Sequence, residues 1–292
     1  MSIHWFRKIS CLSLLISGLL VACSQTLPNP QPERLDTKVV NQLLKTKECI
    51  ECELRNADLS GIDLRKANLQ GANLTNAKLA QANLAEADLT NAQLGDSDLT
   101  GATLELASLE DANLKRAKLS QANLQEADLT DAQLRGANLT QTDLKLAQLS
   151  GADLRGAILT EANLNRADLT KADLGGADLK TANLNKATLA GANLTFANLQ
   201  WAILREARLE AADLRSAILT DADLKDGLLG QAQLGKAQLN NANLRAADLK
   251  GADVHEANFS SADLREADFT GAKNLTTAIL KHARTDGTRG LK

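Results

Sequence analysis

The chain has 292 residues and a formal net charge of −3, and it contains no Tyr, four Phe and two Trp. A globular core of this size normally depends on large aromatic side chains, so this composition excludes a broad core and favours a narrow interior filled by Leu and Ala. The near-neutral charge excludes a strong overall attraction to nucleic acid or to an acidic membrane surface.

Residues 1–22 have the features of a secretory signal peptide. Arg7 and Lys8 precede a largely apolar stretch, ISCLSLLISGLLVA, which is too short to span a bilayer comfortably. The sequence LVAC at residues 20–23 resembles the lipobox of bacterial lipoproteins, in which the cysteine is acylated and becomes the new N-terminus. The resemblance implies that Cys23 anchors an exported protein to a membrane. An ordinary cleaved signal and an uncleaved N-terminal anchor are the alternatives.

Residues 23–34 are predicted to be the lipidated cysteine and a semi-extended tether, because this segment holds all three prolines of the chain. In residues 35–48, apolar residues recur at helical spacing behind Asp36 and Thr37. This pattern predicts a short helix that caps whatever follows it.

From Leu54 to Phe269 an apolar residue occupies every fifth position, in 44 consecutive units without an insertion. The central residue is Leu in 41 of these units, and the residue two places before it is Ala in 39. Neither a helix nor a strand gathers a period of five on one face. The sequence therefore predicts that these two positions face a crowded interior while the other three face water, with the chain turning a corner after each unit.

Units such as ANLTN and ADLTK resemble the A(D/N)LXX unit of the pentapeptide-repeat family over about three-quarters of the chain. The resemblance implies an all-β fold, a right-handed quadrilateral parallel β-helix of about 11 coils over residues 49–272. An open stack of coils needs a cap at each end. Residues 273–292 are therefore expected to form a C-terminal cap and tail, with a second short helix near Thr277 to Ala283.

The sequence offers few groups for chemistry. Cys49 and Cys52 form the only C-x-x-C, and three interpretations are open: a disulfide staple, which export favours, buried free thiols, or a redox or metal centre. His255 and His282 have no catalytic or metal-ligating partner at a recognisable spacing, and no phosphate loop or nucleophile motif is present. We therefore predict no enzyme activity, no cofactor and no metal.

The outward residues are more informative when they are sorted by side, because every fourth unit is expected to stack in one column. The side that contains Leu69 has a net charge of −6, whereas the side that contains Leu64 carries ten acids and nine bases and is predicted to be a mixed, salt-bridged surface. A solvated face and a docking face for a basic partner are both compatible with the acidic side.

Four residues form a candidate partner-binding patch because exposed aromatic, apolar and Arg side chains are typical of binding hot spots. They are Phe196, Trp201, Ile203 and Arg205.

Together these features predict a non-enzymatic, membrane-tethered interaction or scaffold rod on the periplasmic side of a bacterial envelope, with an unidentified protein partner and no nucleic-acid partner. The family resemblance allows two alternatives. Some members mimic duplex DNA and protect gyrase, which would require a chain that is not exported. Others reside in the thylakoid lumen.

Overall fold

A computed structural model describes residues 37–291 of the chain. The predicted signal peptide, Cys23 and the proline-rich tether lie outside the described residues. The described part begins with helix α1 (Thr37–Thr46), continues as a long series of single-residue parallel β-bridges, and contains a 3-10 helix at Leu275–Thr277.

The bridges follow one another at every unit and join each unit to the fourth unit after it. The first is Glu48↔Asn68, the next is Glu53↔Asn73, and the same offset holds as far as Asp253↔Lys273. The Leu54 amide donates to Asn73 O, and the Asn73 amide donates to Cys52 O, both at 2.8 Å. Each coil therefore consists of four five-residue sides, and its backbone hydrogen bonds run along the stack.

The interior of the coils is filled as the sequence predicts. Every central residue from Leu54 to Phe269 is buried, and so is almost every alanine two places before it. Where the small position holds a hydroxyl, the interior supplies an acceptor: Ser97 Oγ donates to Leu94 O and Thr142 Oγ1 donates to Leu119 O, both at 2.7 Å. Because buried polar groups are costly only when unpaired, these two exceptions do not interrupt the core.

The corners explain how a chain can bury two residues in five. At each corner the alanine amide donates to the carbonyl of the preceding central residue, as in Ala57 N to Leu54 O at 3.0 Å. The second of the two residues between them, here Asn56, has a φ of 57°. A positive φ at the third residue of a four-residue turn is the signature of a type II turn. The same left-handed conformation recurs at each corner of the repeat, in most cases at a residue other than glycine.

Thr181 is the only β-branched residue among the left-handed corner residues of the described chain, with a φ of 57°. A branched Cβ is especially strained in this region. We expect Thr181→Gly to raise the free energy of unfolding by about 0.5–1 kcal/mol, because relief of strain exceeds the added flexibility of the unfolded chain. Urea denaturation followed by circular dichroism measures the change. Thr220→Gly, one residue before a left-handed corner, should instead be neutral or destabilising; equal gains in both variants would contradict the account.

The N-terminal helix forms where the sequence predicts it. Residues 35–48 were expected to contain a helix, and α1 occupies Thr37–Thr46 within them. Its Leu43 is fully buried in the same cluster as the coil leucines, and Val39 and Val40 pack partly buried against that cluster. This is the contact expected of an element that covers the first coil.

The C-terminal end differs from the expectation of a helix near Thr277 to Ala283. The described chain has only the 3-10 helix at Leu275–Thr277 there, after Asn274 with a φ of 59°. Beyond it the bridges resume with their offset lengthened by one position, at Asn258↔Ile279, Asp263↔Arg284 and Asp268↔Arg289. The short helix absorbs the single-position slip in the frame, and the repeat pattern that follows then favours another set of bridges over an α-helix.

Candidate interaction surface

The polar residue just before each central leucine is a bridge residue and is only half exposed in most units. Its side-chain oxygen accepts the backbone amide two residues later, as in Thr170 N to Asp168 Oδ1 at 2.9 Å. Asn and Asp also bond along the stack: Asn163 Nδ2 donates to Asp143 Oδ1 at 2.9 Å, and Asn183 Nδ2 donates to Asn163 Oδ1 at 3.2 Å. The prediction that this position simply faces water was therefore incomplete. Its preference for Asp and Asn was the signal for these bonds.

A cation bridges Asp153 and Asp173, two carboxylates that stack in adjacent coils. Arg155 Nη2 is 2.6 Å from Asp153 Oδ2, and Arg155 Nε is 3.6 Å from Asp173 Oδ2. The hydrogen bond from Arg155 holds the pKa of Asp153 below its usual value. These groups are partly solvated, so each ion pair contributes little to stability. Together the ion pairs determine which charged side chains are neighbours on the surface.

The acidic side that contains Leu69 is less uniform than its net charge suggests. Lys250 Nζ lies 3.2 Å from Asp248 Oδ2 and 3.5 Å from Asp268 Oδ2, and the Asp268 side chain is only 7% exposed. A hydrogen bond from Thr270 lowers the pKa of Asp268, which keeps this carboxylate charged. The acidic side is thus interrupted near its C-terminal end by Lys250, an exposed cation that is paired with two of its carboxylates.

The predicted patch residues are all at least partly exposed, and they are distributed around one coil. Phe196 and Trp201 occupy successive left-handed corners, with 71% and 45% of their surfaces exposed. Ile203 is a bridge residue that is 39% exposed, and Arg205 begins the next corner. Lys180 Nζ lies 4.7 Å from the centroid of a Trp201 ring, a cation–π contact, and Arg205 forms an ion pair with Asp223.

The structure assigns two of these residues to different grooves. Phe196 lines a depression of about 380 Å³ together with Arg215, Lys236 and His255. Arg205 lines a second depression, of about 440 Å³. Trp201 and Ile203 line neither groove. Phe196 and Arg205 therefore belong to different grooves, and the grouping of the four residues into one binding patch stays a prediction.

The second groove was missed by sequence reasoning. It follows the corner after the side that contains Leu64, where Lys145, Arg166, Lys186 and Arg205 come from four successive coils. Counting ten acids and nine bases on this side hid the groove, because several of those acids are already paired with other bases. Separating corner residues from bridge residues, coil by coil, would have revealed it.

Cys49 and Cys52 form a disulfide in the structure, with their Cα atoms 5.3 Å apart. Cys49 is buried and Cys52 is half-buried, at the start of the first coil. The predicted lipidation site, Cys23, lies outside the described residues.

A metal site would need several His, Cys, Asp or Glu side chains of residues 37–291 to lie close together. No cluster of three or more His, Cys, Asp or Glu side chains in this range could hold a metal ion. His255 Nε2 is 3.4 Å from Glu256 Oε1, and its Nδ1 is 3.4 Å from Thr277 Oγ1, so its neighbours are a surface acid and a hydroxyl. Across the same range, none of the helices combines the length and the apolar character that a bilayer crossing requires.

Four-sided coils built from five-residue units, with each unit bridged to its counterpart in the next coil and an outer lattice of polar side chains, define the class of repeat proteins built as parallel β-helices. The model of the family described as pentapeptide repeats matches the chain in eight copies, over residues 48–84, 67–105, 107–145, 147–185, 192–231 and 237–273. This chain belongs to the pentapeptide-repeat family.

Solved structures include similar proteins. HetL, a pentapeptide-repeat protein involved in heterocyst differentiation regulation from the cyanobacterium Nostoc sp. strain PCC 7120, is 36% identical; the match covers 80% of this chain and 90% of HetL, with a TM-score of 0.44. QnrB1, a plasmid-mediated fluoroquinolone resistance protein, is 17% identical over 66% of this chain and 88% of its own, with a TM-score of 0.38.

A pentapeptide-repeat protein of the Arabidopsis thaliana thylakoid lumen is 29% identical over 39% of this chain and 68% of its own, with a TM-score of 0.20. Among proteins with curated functions, none matches this chain significantly.

Proposed function

We propose that this chain is a non-enzymatic protein-interaction rod of about 11 right-handed coils, tethered to a membrane on the periplasmic side of a bacterial envelope through a lipid on Cys23. One observation carries the interaction role: the side chains that carry charge and hydrogen-bonding groups lie on a continuous outer lattice, while the interior holds Leu and Ala. Such a surface suits recognition of a large partner more than enclosure of a small substrate.

The tether and the anchor are supported by sequence alone. The basic residues before the apolar stretch, the LVAC sequence and the prolines that follow it agree with a lipoprotein whose folded part stands off the membrane. The Cys49–Cys52 disulfide agrees with an oxidising compartment such as the periplasm.

The interaction role is tested by capture of partners from detergent-solubilised envelope with the full-length protein. We expect a discrete protein to be enriched by the wild type and lost with the double variant Trp201→Ala, Arg205→Ala, because large exposed aromatic and Arg side chains dominate binding energy. A matched control is Leu106→Ala with Arg65→Ala, which also removes one exposed apolar group and one ion-paired Arg. Retention of every partner by the first variant would refute this patch.

The anchor is tested by mass spectrometry of the N-terminus of the protein purified from its own membranes. We expect the mature chain to begin at an acylated Cys23. An unprocessed Met1 in a cytosolic fraction would refute the anchor and would favour the alternative of a gyrase-interacting protein. A mature form recovered from a thylakoid lumen without lipid would favour the other alternative.

A further inference from the structure

The groove at the corner after the side that contains Leu64 has a cationic rim and an amide floor; we name it the cationic groove. Its rim consists of Lys145, Arg166, Lys186 and Arg205, all exposed, and its floor of Asn165 and Asn185, both half-buried. Because the rim residues come from four successive coils, their backbones advance by about 4.8 Å per step along the stack. The cations therefore form a line parallel to the axis.

Two of the rim cations lack a carboxylate partner among the residues that the structure describes. Lys186 Nζ is 3.3 Å from Glu206 Oε2, and Arg205 pairs with Asp223. Within residues 37–291, no carboxylate lies within 4.0 Å of the side-chain nitrogens of Lys145 or Arg166. With four bases and one acid in its lining, the groove has a local charge of +3 on a chain whose net charge is −3. This contrast would attract an acidic ligand to this corner.

The floor contains an unused hydrogen-bonding group. Asn185 Oδ1 is buried and accepts no hydrogen bond in the described chain. The Asn185 backbone carbonyl is by contrast used twice, by Arg166 N at 2.9 Å and by Asn165 Nδ2 at 3.2 Å. A buried oxygen without a donor is costly, so a ligand that supplies an N–H group to Asn185 Oδ1 would remove that cost.

We propose that the cationic groove binds an extended acidic segment of a partner protein. Such a segment supplies a partner for each unpaired group of the groove. Its carboxylates would pair with Lys145 and Arg166, and its backbone N–H groups would donate to Asn185 Oδ1. Single-stranded nucleic acid would supply anions too, but proteins that bind it use aromatic side chains as stacking platforms, and no aromatic residue lines this groove in the described chain. The inference rests on the proposed protein-binding role and assigns it a second surface, which shares only Arg205 with the patch tested above.

The test uses the full-length protein and a fluorescein-labelled peptide of alternating Glu and Ser, about as long as the groove, followed by fluorescence anisotropy at low salt. We expect saturable binding that the double variant Lys145→Ala, Arg166→Ala weakens about tenfold, because it removes the two unpaired cations and leaves no carboxylate without its partner. Asn185→Ala should weaken binding about threefold without changing the charge. It should leave the unfolding temperature of the free protein unchanged or raised, since its Oδ1 accepts nothing there.

The matched control is Lys115→Ala with Arg135→Ala, at the diagonally opposite corner. Like the test variant, it removes two positive charges. The side-chain nitrogens of Lys115 and Arg135 also lie more than 4.0 Å from any carboxylate in the described chain. We expect it to change affinity less than about twofold. Equal weakening by both double variants would show attraction by net charge alone and would overturn the proposal. So would an absence of binding, or tighter and equally variant-sensitive binding of an oligothymidylate of the same charge. Because Arg205 also lines the groove, partner capture is measured with Trp201→Ala alone as well, and loss of capture by that single variant is assigned to the patch. The two proposals can therefore fail independently.

Discussion

Replacement of Leu104 with alanine is expected to lower the free energy of unfolding by about 3 kcal/mol, within a range of roughly 2–5 kcal/mol. Leu104 is a central residue of a middle coil and is fully buried. Its truncation leaves a cavity that the hydrogen-bonded coils above and below cannot close, because their spacing is set by the backbone bridges. Chemical denaturation by urea, followed by far-UV circular dichroism, gives the shift in the unfolding midpoint.

The matched control is Leu106→Ala, two positions away in the same coil. Leu106 occupies a left-handed corner and is 52% exposed. Alanine there keeps the corner conformation and removes little buried surface, so we expect a change within about 0.5 kcal/mol. If the two variants were equally destabilised, the inward orientation of the central leucines would be wrong.

The second large effect concerns the small position. Ala212 is fully buried and stacks in a column with Ala192 and Ala232, which are also fully buried. Leucine at this position adds a branched alkyl group to an interior that has room for a methyl. We expect Ala212→Leu to cost about 1–3 kcal/mol or more, because the coil must shift to accommodate the larger side chain.

Ala211→Leu is the control, since Ala211 is the adjacent residue in the chain and points to solvent. The left-handed φ of 55° at this corner strains alanine and leucine alike, so the substitution does not change the backbone strain. We expect Ala211→Leu to unfold at the same urea concentration as the wild type. The same urea titration compares the pair. A loss of stability at Ala211 as large as at Ala212 would contradict the assignment of interior and exterior positions.

A sequence with a strict period constrains structure more than function. The inward positions of Leu and Ala were predictable, since only a chain that turns once in each unit can bury both. The first helix was predictable from its own spacing, and the structure places its Leu43 fully buried. The absence of a C-terminal α-helix was not predictable, because the segment after Asn274 is compatible both with a helix and with the five-residue repeat. The open bridges of the preceding coil favoured the repeat over a helix.

The candidate sites show the same division. The exposure of Phe196 and Trp201 followed from their places in the repeat, but the groove that Phe196 lines did not. Outward residues can be assigned to a side by counting, yet their pairing depends on how far each side chain reaches along a side and between stacked coils. Asp223 pairs with Arg205 of the adjacent coil, whereas Lys145 is left without a carboxylate partner in the described part of the chain.

By itself, the sequence determined which side chains are inside, because burial in this fold is a local property of each five-residue unit. The length of one coil was implied by the family resemblance, and the bridges that join each unit to the fourth unit after it establish that length. Only the tertiary structure decided which surface charges neutralise one another and which remain available, and that one floor oxygen, Asn185 Oδ1, has no donor within the described chain. The physical reason is that ion pairs and grooves join side chains of neighbouring coils across short distances in space, and a count of charges along the chain does not contain those distances.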